Sequence, residues 1–222
     1  MYVKITDKCN MHCAHCCVSA TMRGKHMKMP VWKQTVEFLW EYGEEYISIG
    51  GGEPTLHPKF WHILIDAMTL PYTHVWLATN GSQTETALKL AGLARKGVIS
   101  CALSLDKWHD LIDPEVESAF QEGKKPGYSY NGNPNDLREI RTVTRIMRVG
   151  RAKKLHNTEE GCACEDFVIE TNGDIKYCQC ENAPVVGNVW TGISRDILDV
   201  HSLYECWNEV NFYQEFENAD NQ

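Results

Sequence analysis

The sequence predicts an α/β protein, a partial (β/α)6 barrel followed by a small cysteine-rich hairpin domain. Strand-like runs alternate with helical stretches along the first 155 residues, which is the pattern of a parallel sheet with helices between its strands. A complete eight-unit barrel typically needs about 250 residues, so this length fits six units. Beyond residue 155 the alternation stops and cysteines become frequent. We therefore predict two domains, a barrel over residues 1–155 and a hairpin domain over residues 156–222.

Six short runs, most of them rich in Val, Ile, Thr or aromatic residues, predict the strands of the barrel. In chain order they are residues 3–6, 46–50, 74–79, 98–105, 127–130 and 144–150. Between them, Pro30 and Gly43 have the places of a helix start and a helix end, and Ser82 and Glu85 have the spacing of a capping box. The predicted helices are residues 30–42, 58–70, 82–97, one that starts at Asp113-Pro114, and 133–141.

Composition and charge narrow the class of protein. The 222 residues contain no run of 18 apolar residues, and the N-terminus lacks the apolar core of a signal peptide, so we expect a cytoplasmic protein without a membrane span. There, ten cysteines indicate metal ligands or catalytic groups rather than disulfides. The net charge of −8 argues against a broad nucleic-acid-binding face. The basic segment 138–154 is either a solvated helix face with a strand end or a local site for phosphate or nucleic acid.

The stretch CNMHCAHCC, directly after the first predicted strand, is rich in soft metal ligands. Cys9, Cys13 and Cys16 have the spacing C-x3-C-x2-C, and three thiolates can hold three irons of a [4Fe–4S] cube while the fourth iron stays open. Zinc is the alternative, with Cys17 or a histidine of the same stretch, His12 or His15, as the fourth ligand. A disulfide is less favoured in a reducing compartment.

Further unusual residues fall where predicted strands end, and in βα folds ligands bind at the C-terminal ends of the strands. These residues are Gly50-Gly51-Gly52-Glu53-Pro54, Asn80-Gly81, Ser104, Asp106 and Gly150-Arg151-Ala152. Two of them have simpler explanations that stay open, since Asn80-Gly81 is equally consistent with a turn and Asp106 with a helix cap.

This combination resembles the radical S-adenosylmethionine (radical SAM) superfamily. The three-cysteine spacing after the first strand, GGEP after the second and the six predicted βα units carry the resemblance, which covers residues 1–155. It implies that Cys9, Cys13 and Cys16 bind a [4Fe–4S] cluster whose open iron is chelated by the amino and carboxylate groups of S-adenosylmethionine (SAM). It also implies that the reduced cluster cleaves SAM to a 5′-deoxyadenosyl radical, which takes a hydrogen atom from a carbon of the substrate.

The resemblance assigns further positions to SAM binding. Gly51, Gly52 and Glu53 match the motif that holds the methionine amino group, for which a carboxylate is suited. His15 occupies the place where the family usually has an aromatic side chain near the adenine. The remaining expected SAM contacts are Asn80, Ser104, Asp106 and Arg151. The family's G-x-I-x-G-x-x-E pattern of the fifth strand is not found in this sequence, so the adenine contacts from that side stay open.

A second group of cysteines lies in a predicted hairpin, residues 161–180. A three-residue loop at 171–173, with Gly173 in the left-handed region, places Glu170 opposite Asp174. Side-chain alternation then puts four apolar residues on one face, namely Phe167, Ile169, Ile175 and Tyr177. Four cysteines converge at the open end of the other face, namely Cys162, Cys164, Cys178 and Cys180. Such a set predicts a metal site, for zinc or for an iron–sulfur cluster.

This segment resembles the Twitch domain, the shorter relative of the SPASM domain, which follows many radical SAM cores. Gly173 to Cys178 forms the G-x4-C step of that domain, and residues 187–189 form its glycine-asparagine turn. The resemblance implies an auxiliary [4Fe–4S] cluster. The tight C-x-C pairs depart from the family pattern, in which a last ligand often comes from further downstream, so Cys206 stays an alternative ligand to the hairpin four.

The resemblance implies an enzyme whose substrate the sequence does not specify. We expect flavodoxin or ferredoxin as the one-electron donor, and a small molecule, a nucleoside or modified base, or a peptide as substrate. Because the chain begins eight residues before Cys9, we expect no leader-peptide-recognition domain ahead of the barrel. Cys180, Cys101 and Tyr130 are candidates to return a hydrogen atom to a product radical, although Cys101, like Cys17, also suits core packing. The competing class is a non-enzymatic iron–sulfur electron carrier or a zinc-stapled binding module.

Overall fold

The computed structural model of the chain describes residues 1–71, 73–124, 133–143, 145–156, 158–159, 166–180 and 183–194. Its strands are β1 (Tyr2–Thr6), β2 (Tyr46–Gly51), β3 (His74–Thr79), β4 (Ser100–Ser104), β5 (Arg138–Arg141), β6 (Val168–Ile169), β7 (Asp174–Lys176), β8 (Val185–Asn188) and β9 (Gly192–Ile193). Its α-helices are α1 (Met29–Tyr42), α2 (Phe60–Met68), α3 (Thr84–Arg95) and α4 (Pro114–Gln121). Two short 3-10 helices, Pro54–Leu56 and Gly150–Lys154, lie between them.

Within these residues the strands form one sheet in the order β5-β4-β3-β2-β1-β6-β7-β8-β9. The neighbours from β1 to β5 pair in parallel, and β6 pairs in parallel with β1 on its other side. The strands β7, β8 and β9 continue the sheet as an antiparallel meander. The predicted α/β class with a parallel, barrel-type sheet is therefore confirmed.

The predicted helix over residues 133–141 is wrong, because residues 138–141 form β5 alongside β4. Asn133 lies in a turn, where its side chain accepts a hydrogen bond from the backbone N–H of Asn135. Arg138 is only 3% exposed, and its guanidinium donates to both carboxylate oxygens of Asp136. Burial of this ion pair and the ladder with β4 outweigh the local helix signal of Asn-Pro.

The predicted sixth strand over residues 144–150 is also wrong. Met147 makes an isolated bridge with Glu159, and a 3-10 helix begins at Gly150. The hairpin strand β6 pairs with β1, at the opposite edge of the parallel strands from β5. The predicted strand at residues 127–130 lies outside the described residues.

The predicted capping box at the start of α3 is wrong as well. The helix begins at Thr84 after Gln83, without a side-chain cap. Ser82 is instead hydrogen-bonded to the Asn10 side chain at 2.9 Å. This contact ties the turn after β3 to the loop after β1, so a tertiary contact takes the hydroxyl that the local motif would have used. In contrast, α4 starts at Asp113-Pro114 as predicted, and the Asp113 side chain caps it by accepting a hydrogen bond from the N–H of Glu115.

The two faces of the parallel strands differ in chemistry. One face packs with the helices in a single apolar core, which contains Val3, Ile5, Ile47, Val75, Leu77, Cys101 and Leu103 together with Trp32, Leu39, Ile63, Leu90 and Phe120. The other face carries polar contacts, among them the Lys4–Glu170 ion pair at 2.9 Å and the His74–Ser100 hydrogen bond at 2.8 Å. This is the face on which a barrel-type sheet can build a polar site at the strand ends.

The predicted hairpin has the predicted register. Val168 lies opposite Lys176, and the backbone N–H of Glu170 donates to the carbonyl of Asp174. Gly173 has φ +92°, and a Cβ there would lie 2.8 Å from the Trp190 ring. Since β6 joins β1, the hairpin extends the sheet of the barrel; the division into two domains at residues 155 and 156 stays a prediction. No helix among the described residues has the length and apolar character that a membrane span needs.

Candidate functional site

The cysteine-rich loop after β1 folds back on itself. The backbone N–H of Cys9 donates to the carbonyl of Thr21 at 3.2 Å, and that of Asp7 donates to Lys25 at 2.8 Å. Gly24 allows this close approach, because a Cβ there would lie 2.3 Å from the carbonyl oxygen of Asp7. The loop is thereby a defined structure rather than a loose connection.

Cys9, Cys13 and Cys16 are brought together on this loop, each partly exposed. Burial raises the pKa of Cys13 to about 11, and the neighbouring thiols Cys9 and Cys16 raise it further. Burial likewise raises the pKa of Cys9. Because Cys9 and Cys16 raise the pKa of Cys13, the arrangement favours a positively charged group between the three thiols, and a bound metal would stabilise their thiolates. The set therefore suits a metal centre and not three independent thiols.

Gly150 and Arg151 pack against the backbone of the cysteine-rich loop. The Arg151 backbone N–H donates to the carbonyl of Cys16 at 2.9 Å, and its guanidinium donates to the carbonyls of Cys13 and Ala20 at 3.1 and 2.8 Å. Gly150 has φ +55°, and a Cβ there would lie 2.3 Å from the carbonyl oxygen of Cys17. The Gly-Arg-Ala sequence thus acts on the backbone of the cysteine loop. A contact between Arg151 and SAM stays a prediction.

Replacing Arg151 with Ala is expected to loosen the cysteine loop. Two hydrogen bonds from a charged group are lost, each worth roughly 1.5–3 kcal/mol, so we expect the melting temperature to fall by about 6–24 °C. Iron in the reconstituted protein should also pass faster to a chelator. Arg148→Ala is the matched control, since Arg148 is exposed. Equal melting temperatures and equal rates of iron loss in the two variants would contradict this role of Arg151.

The glycines after β2 allow it to lie against the cysteine loop. Gly51 has φ +126°, and a Cβ there would lie 1.9 Å from the carbonyl oxygen of Thr6. At Gly52 a Cβ would lie 2.2 Å from the carbonyl oxygen of Lys8. The close backbone approach that these positions require is therefore to the protein itself, between the ends of β1 and β2. Their contact with SAM stays a prediction.

Glu53 is the most tightly held side chain of the site, with 1% of its surface exposed. One carboxylate oxygen accepts hydrogen bonds from Thr55 Oγ1 at 2.6 Å and Thr79 Oγ1 at 2.8 Å, and also from the Thr55 N–H. The other oxygen accepts the backbone N–H of Asn80 at 2.7 Å. Burial raises the pKa of Glu53, and these hydrogen bonds oppose that rise. The carboxylate is thus fixed in position at the end of three neighbouring strands.

Asn80 connects this carboxylate to the cysteine loop. Its side-chain amide donates to Asn10 Oδ1 at 3.0 Å and lies 3.9 Å from Cys9 Sγ. Gly81 follows with φ +74°, as a turn requires. Asn80-Gly81 is therefore both a turn and a neighbour of the metal-ligand candidates, so the turn alone does not account for it.

Asp106 organises the loop after β4. One of its carboxylate oxygens accepts hydrogen bonds from the Trp108 N–H and from His109 Nδ1, each at 2.9 Å, and the other accepts the Val143 N–H at 3.2 Å. Burial alone would raise the pKa of Asp106, but the hydrogen bonds from Trp108 and His109 leave it below its ordinary value. The ionised carboxylate of Asp106 therefore connects the loop after β4 with the loop after β5.

His109 is a site residue that the sequence analysis missed. Its ring meets the His15 ring edge-on at 5.2 Å between centroids, and Trp108 lies 5.9 Å from His15. His15 Nδ1 is buried without a hydrogen-bond partner in the described residues. The available signal was the group Lys107-Trp108-His109 directly after a strand-end aspartate. His15 thus presents a polar atom that a bound ligand can satisfy.

The loops after β1, β2, β3 and β4 contribute residues to the wall of one cavity of about 430 Å³. The predicted site residues in its wall are Cys9, Cys13, His15, Cys16, Gly51, Gly52, Glu53, Asn80, Ser104, Asp106 and Cys180. Arg141 and Arg145 of the basic segment line it as well. Cleft volumes of about 300–1,000 Å³ are usual for small-molecule and cofactor sites, so the space suits such a ligand.

Two cysteines of the hairpin, Cys178 and Cys180, are buried together with Ala183 against Val149. Cys180 also lines the cavity. Cys162, Cys164 and the alternative ligand Cys206 lie outside the described residues, as does Tyr130. The second metal site and the hydrogen-donor roles therefore stay predictions.

Cys101 and Cys17 differ in their burial. Cys101 is fully buried in the apolar core on the helix side of β4, and burial raises its pKa well above the ordinary value. This position agrees with core packing and does not face the cavity. Cys17 is exposed and its thiol lies 3.8 Å from Gln179 Oε1, so the expectation that it packs in the core is wrong.

Comparison with known proteins identifies a family for most of the barrel. The model of the radical SAM superfamily matches residues 3–131. The mycofactocin maturase MftC of Mycobacterium ulcerans is 32% identical over 117 residues, which are 52% of this chain and 31% of that protein. An S-adenosylmethionine-dependent nucleotide dehydratase of a Thermoplasmatales archaeon is 43% identical over 56 residues, 25% of this chain and 20% of that protein. The matched region thus spans less than a third of either relative.

A solved structure supports the fold independently. The structure described as native anSMEcpe with bound AdoMet and Cp18Cys peptide superposes with a TM-score of 0.55 at 15% identity. The match covers 89% of this chain and 79% of that chain. At this identity the likeness concerns the arrangement of the strands and helices.

Proposed function

The chain belongs to the radical SAM superfamily, and from this premise we propose that it holds a [4Fe–4S] cluster that reductively cleaves SAM and starts hydrogen abstraction from a substrate. The observation that carries the proposal is the convergence of Cys9, Cys13 and Cys16 with Glu53 in the wall of one cavity. Three soft thiol ligands fit three irons of a cube, and the raised pKa values of Cys9 and Cys13, to both of which Cys16 contributes, fit a site that a cationic metal group stabilises.

When bound, the cluster and SAM together supply a 5′-deoxyadenosyl radical, which is the source of the hydrogen abstraction. The chain's own residues hold the cluster and SAM, orient them and shield them from solvent. Arg151 fixes the backbone of the ligand loop through Cys13 and Ala20. Glu53 provides a buried negative charge for an ammonium group at the end of β2. Its fixed hydrogen bonds mean that no side chain has to reorganise when that group arrives.

The remaining cavity residues fit a ligand that has both polar and flat parts. His15 Nδ1, which has no hydrogen-bond partner among the described residues, offers a hydrogen bond, and the Trp108 ring packs beside the His15 ring. Ser104, Asp106 and Asn80 line the same wall. We assign His15, Asn80, Ser104 and Asp106, with the glycines after β2, to SAM binding.

The Twitch assignment of the hairpin is a second part of the proposal. Cys178 and Cys180 are buried at the end of the hairpin whose register the sequence predicts. We propose that they hold an auxiliary [4Fe–4S] cluster together with Cys162 and Cys164, or with Cys206 in place of one of them. Its position beside the cavity, through Cys180, supports a role in binding substrate or accepting an electron from it.

The substrate is proposed as a class only. The dehydratase name points to a nucleotide and the peptide in the solved structure points to a peptide, so we propose a nucleotide-type small molecule or a peptide. Arg141 and Arg145 in the cavity wall support a ligand with an anionic group. The proposed donor is flavodoxin or ferredoxin, and the proposed compartment is the cytoplasm, where thiolate ligands stay reduced.

The experiment that tests the function is an anaerobic assay. The purified protein is reconstituted with iron and sulfide, reduced with dithionite and given SAM, and 5′-deoxyadenosine is measured by chromatography. We expect about eight irons per chain, two [4Fe–4S] clusters, and formation of 5′-deoxyadenosine. Iron without 5′-deoxyadenosine would favour the electron-carrier alternative, and zinc in place of iron would favour a stapled binding module.

A further inference from the structure

The positive charge of this acidic chain is concentrated in two segments. Residues 8–36 carry five Lys or Arg residues and no Asp or Glu, and residues 140–158 carry six and none. Together the segments hold half of the 22 Lys and Arg residues, whereas all 30 Asp and Glu residues lie elsewhere. A chain with a net charge of −8 therefore contains a local basic region.

The fold brings both segments onto the ligand loop. Residues 21–25 pack beside residues 7–9 through the Cys9–Thr21 and Asp7–Lys25 backbone hydrogen bonds. The 3-10 helix Gly150–Lys154 packs on the same loop through Arg151. The basic residues that are far apart in the sequence thus flank the same three cysteines.

The exposed cations of this region form a surface that we call the basic rim. Its members are Arg23, Lys25, Lys28, Lys153 and Lys154, all exposed. Among the described residues, no Asp or Glu forms an ion pair with Arg23, Lys25 or Lys28. Met22, 54% exposed, adds an apolar group beside Arg23. The rim is therefore a surface with positive charge and one apolar contact.

Three acidic residues among the described ones, Asp7, Asp110 and Glu159, adjoin this region. Asp7 is partly buried and accepts a hydrogen bond from Thr171 Oγ1 at 3.0 Å. Asp110 is exposed, and its charge raises the pKa of Cys13. Glu159 forms an ion pair with Arg145, and for this reason neither Glu159 nor Arg145 is counted in the rim.

We propose that the basic rim is the docking surface for an acidic one-electron donor protein of the flavodoxin or ferredoxin class. The inference rests on the proposed function, because it needs a cluster at Cys9, Cys13 and Cys16. Electron transfer between proteins falls steeply with distance, so a donor has to approach the ligand loop itself. Complementary charge steers such encounters and fixes their orientation. At this surface the donor is oxidised by one electron and the cluster is reduced by one, and no bond changes.

The location of the rim favours a donor over a nucleic acid. A nucleic-acid substrate has to present its reacting atom to the cavity, and the arginines that line the cavity are Arg141 and Arg145. The members of the rim do not line the cavity, and they lie on segments packed against the ligand loop. The rim therefore lies beside the ligand loop, where a donor would pass an electron to the cluster, and not in the cavity wall, where a substrate would bind.

The test compares two charge reversals of equal size in the reconstituted full chain. Arg23→Glu with Lys25→Glu changes the rim, and Lys89→Glu with Lys96→Glu changes exposed lysines of α3 and the residue after it. Binding of an oxidised bacterial flavodoxin is measured by calorimetry at low salt. We expect the rim variant to bind at least about tenfold more weakly than the wild type, and the α3 variant to bind like the wild type. 5′-Deoxyadenosine formation driven by reduced flavodoxin should fall in parallel, whereas the dithionite-driven rate should stay unchanged.

The outcomes separate this inference from the proposed function. Equal flavodoxin binding by the wild type and the rim variant, or equal loss in both variants, would overturn the docking surface. Binding of a short single-stranded RNA that depends on the rim, without any flavodoxin binding, would replace it with a nucleic-acid surface. Absence of 5′-deoxyadenosine from the dithionite-driven wild type would overturn the proposed function, while the calorimetry would still decide whether the rim binds the donor.

Discussion

Replacement of Cys9, Cys13 and Cys16 by Ala is expected to lower the iron content from about eight to about four per chain and to abolish 5′-deoxyadenosine formation. The three thiols lie on one loop in the wall of the cavity, and two of them have raised pKa values that a bound metal would offset. Without them the loop offers no soft ligand set for the first cluster. The four irons that remain belong to the proposed auxiliary cluster. Iron and acid-labile sulfide are counted beside the chromatographic assay.

The adjacent thiol provides the control. Cys17 follows Cys16 directly but is exposed and lies near Gln179. Cys17→Ala should therefore keep both the iron content and SAM cleavage. If Cys17→Ala lost half of the iron as the triple variant does, the ligand set would have to include Cys17, and a zinc-like four-ligand arrangement would become the better description. If the triple variant kept eight irons, the core cluster would have to be sought elsewhere.

The sequence was most informative where chemistry depends on residue type and spacing. Three cysteines, three glycines and one glutamate at strand ends can be recognised without coordinates, because few structural roles need Cys at C-x3-C-x2-C or Gly-Gly-Gly-Glu after a strand. The hairpin register followed from a glycine turn and strict side-chain alternation. Both are local rules, and the fold did not override them.

The errors arose where a local signal competed with a distant partner. Asn133-Pro134 has the signature of a helix start, yet the pairing of Arg138 with Asp136 and the ladder to β4 make the segment a turn and a strand. Ser82 has the spacing of a cap, yet it bonds Asn10 across the site. The strand β4 and Asn10 both lie outside the sequence window that a helix-start signal considers, so no local rule could have found these contacts.

The roles of single site residues show the same limit. Arg151 was expected to contact SAM, but its observed hydrogen bonds go to the backbone of the ligand loop. His109 belongs to no sequence motif. It lies in the site because it is hydrogen-bonded to Asp106 and its ring packs against His15. A sequence pattern marks which positions matter, and the backbone contacts decide what each position does.

Replacement of Glu53 is the second large effect that the structure predicts, and two substitutions separate its charge from its structural part. Glu53→Ala leaves the buried N–H groups of Thr55 and Asn80 without their acceptor, at roughly 1–3 kcal/mol each. We therefore expect Ala to lower the free energy of unfolding by several kcal/mol and to disturb Asn80 beside Cys9. Loss of SAM cleavage in this variant would have two causes at once.

Glu53→Gln removes the charge and keeps most of the hydrogen bonds. The amide keeps an oxygen for Thr55 and Thr79 and loses mainly the acceptor for Asn80, so the fold and the iron content should be kept. If the carboxylate holds the ammonium of SAM, its loss removes roughly 1.5–3 kcal/mol, or about 10- to 100-fold in affinity. Equilibrium dialysis with labelled SAM measures this, with the exposed Glu37→Gln on α1 as the matched control. Unchanged affinity in Glu53→Gln would limit Glu53 to a structural support of β2 and β3, whereas a loss confined to SAM binding would assign the ammonium contact to this one side chain.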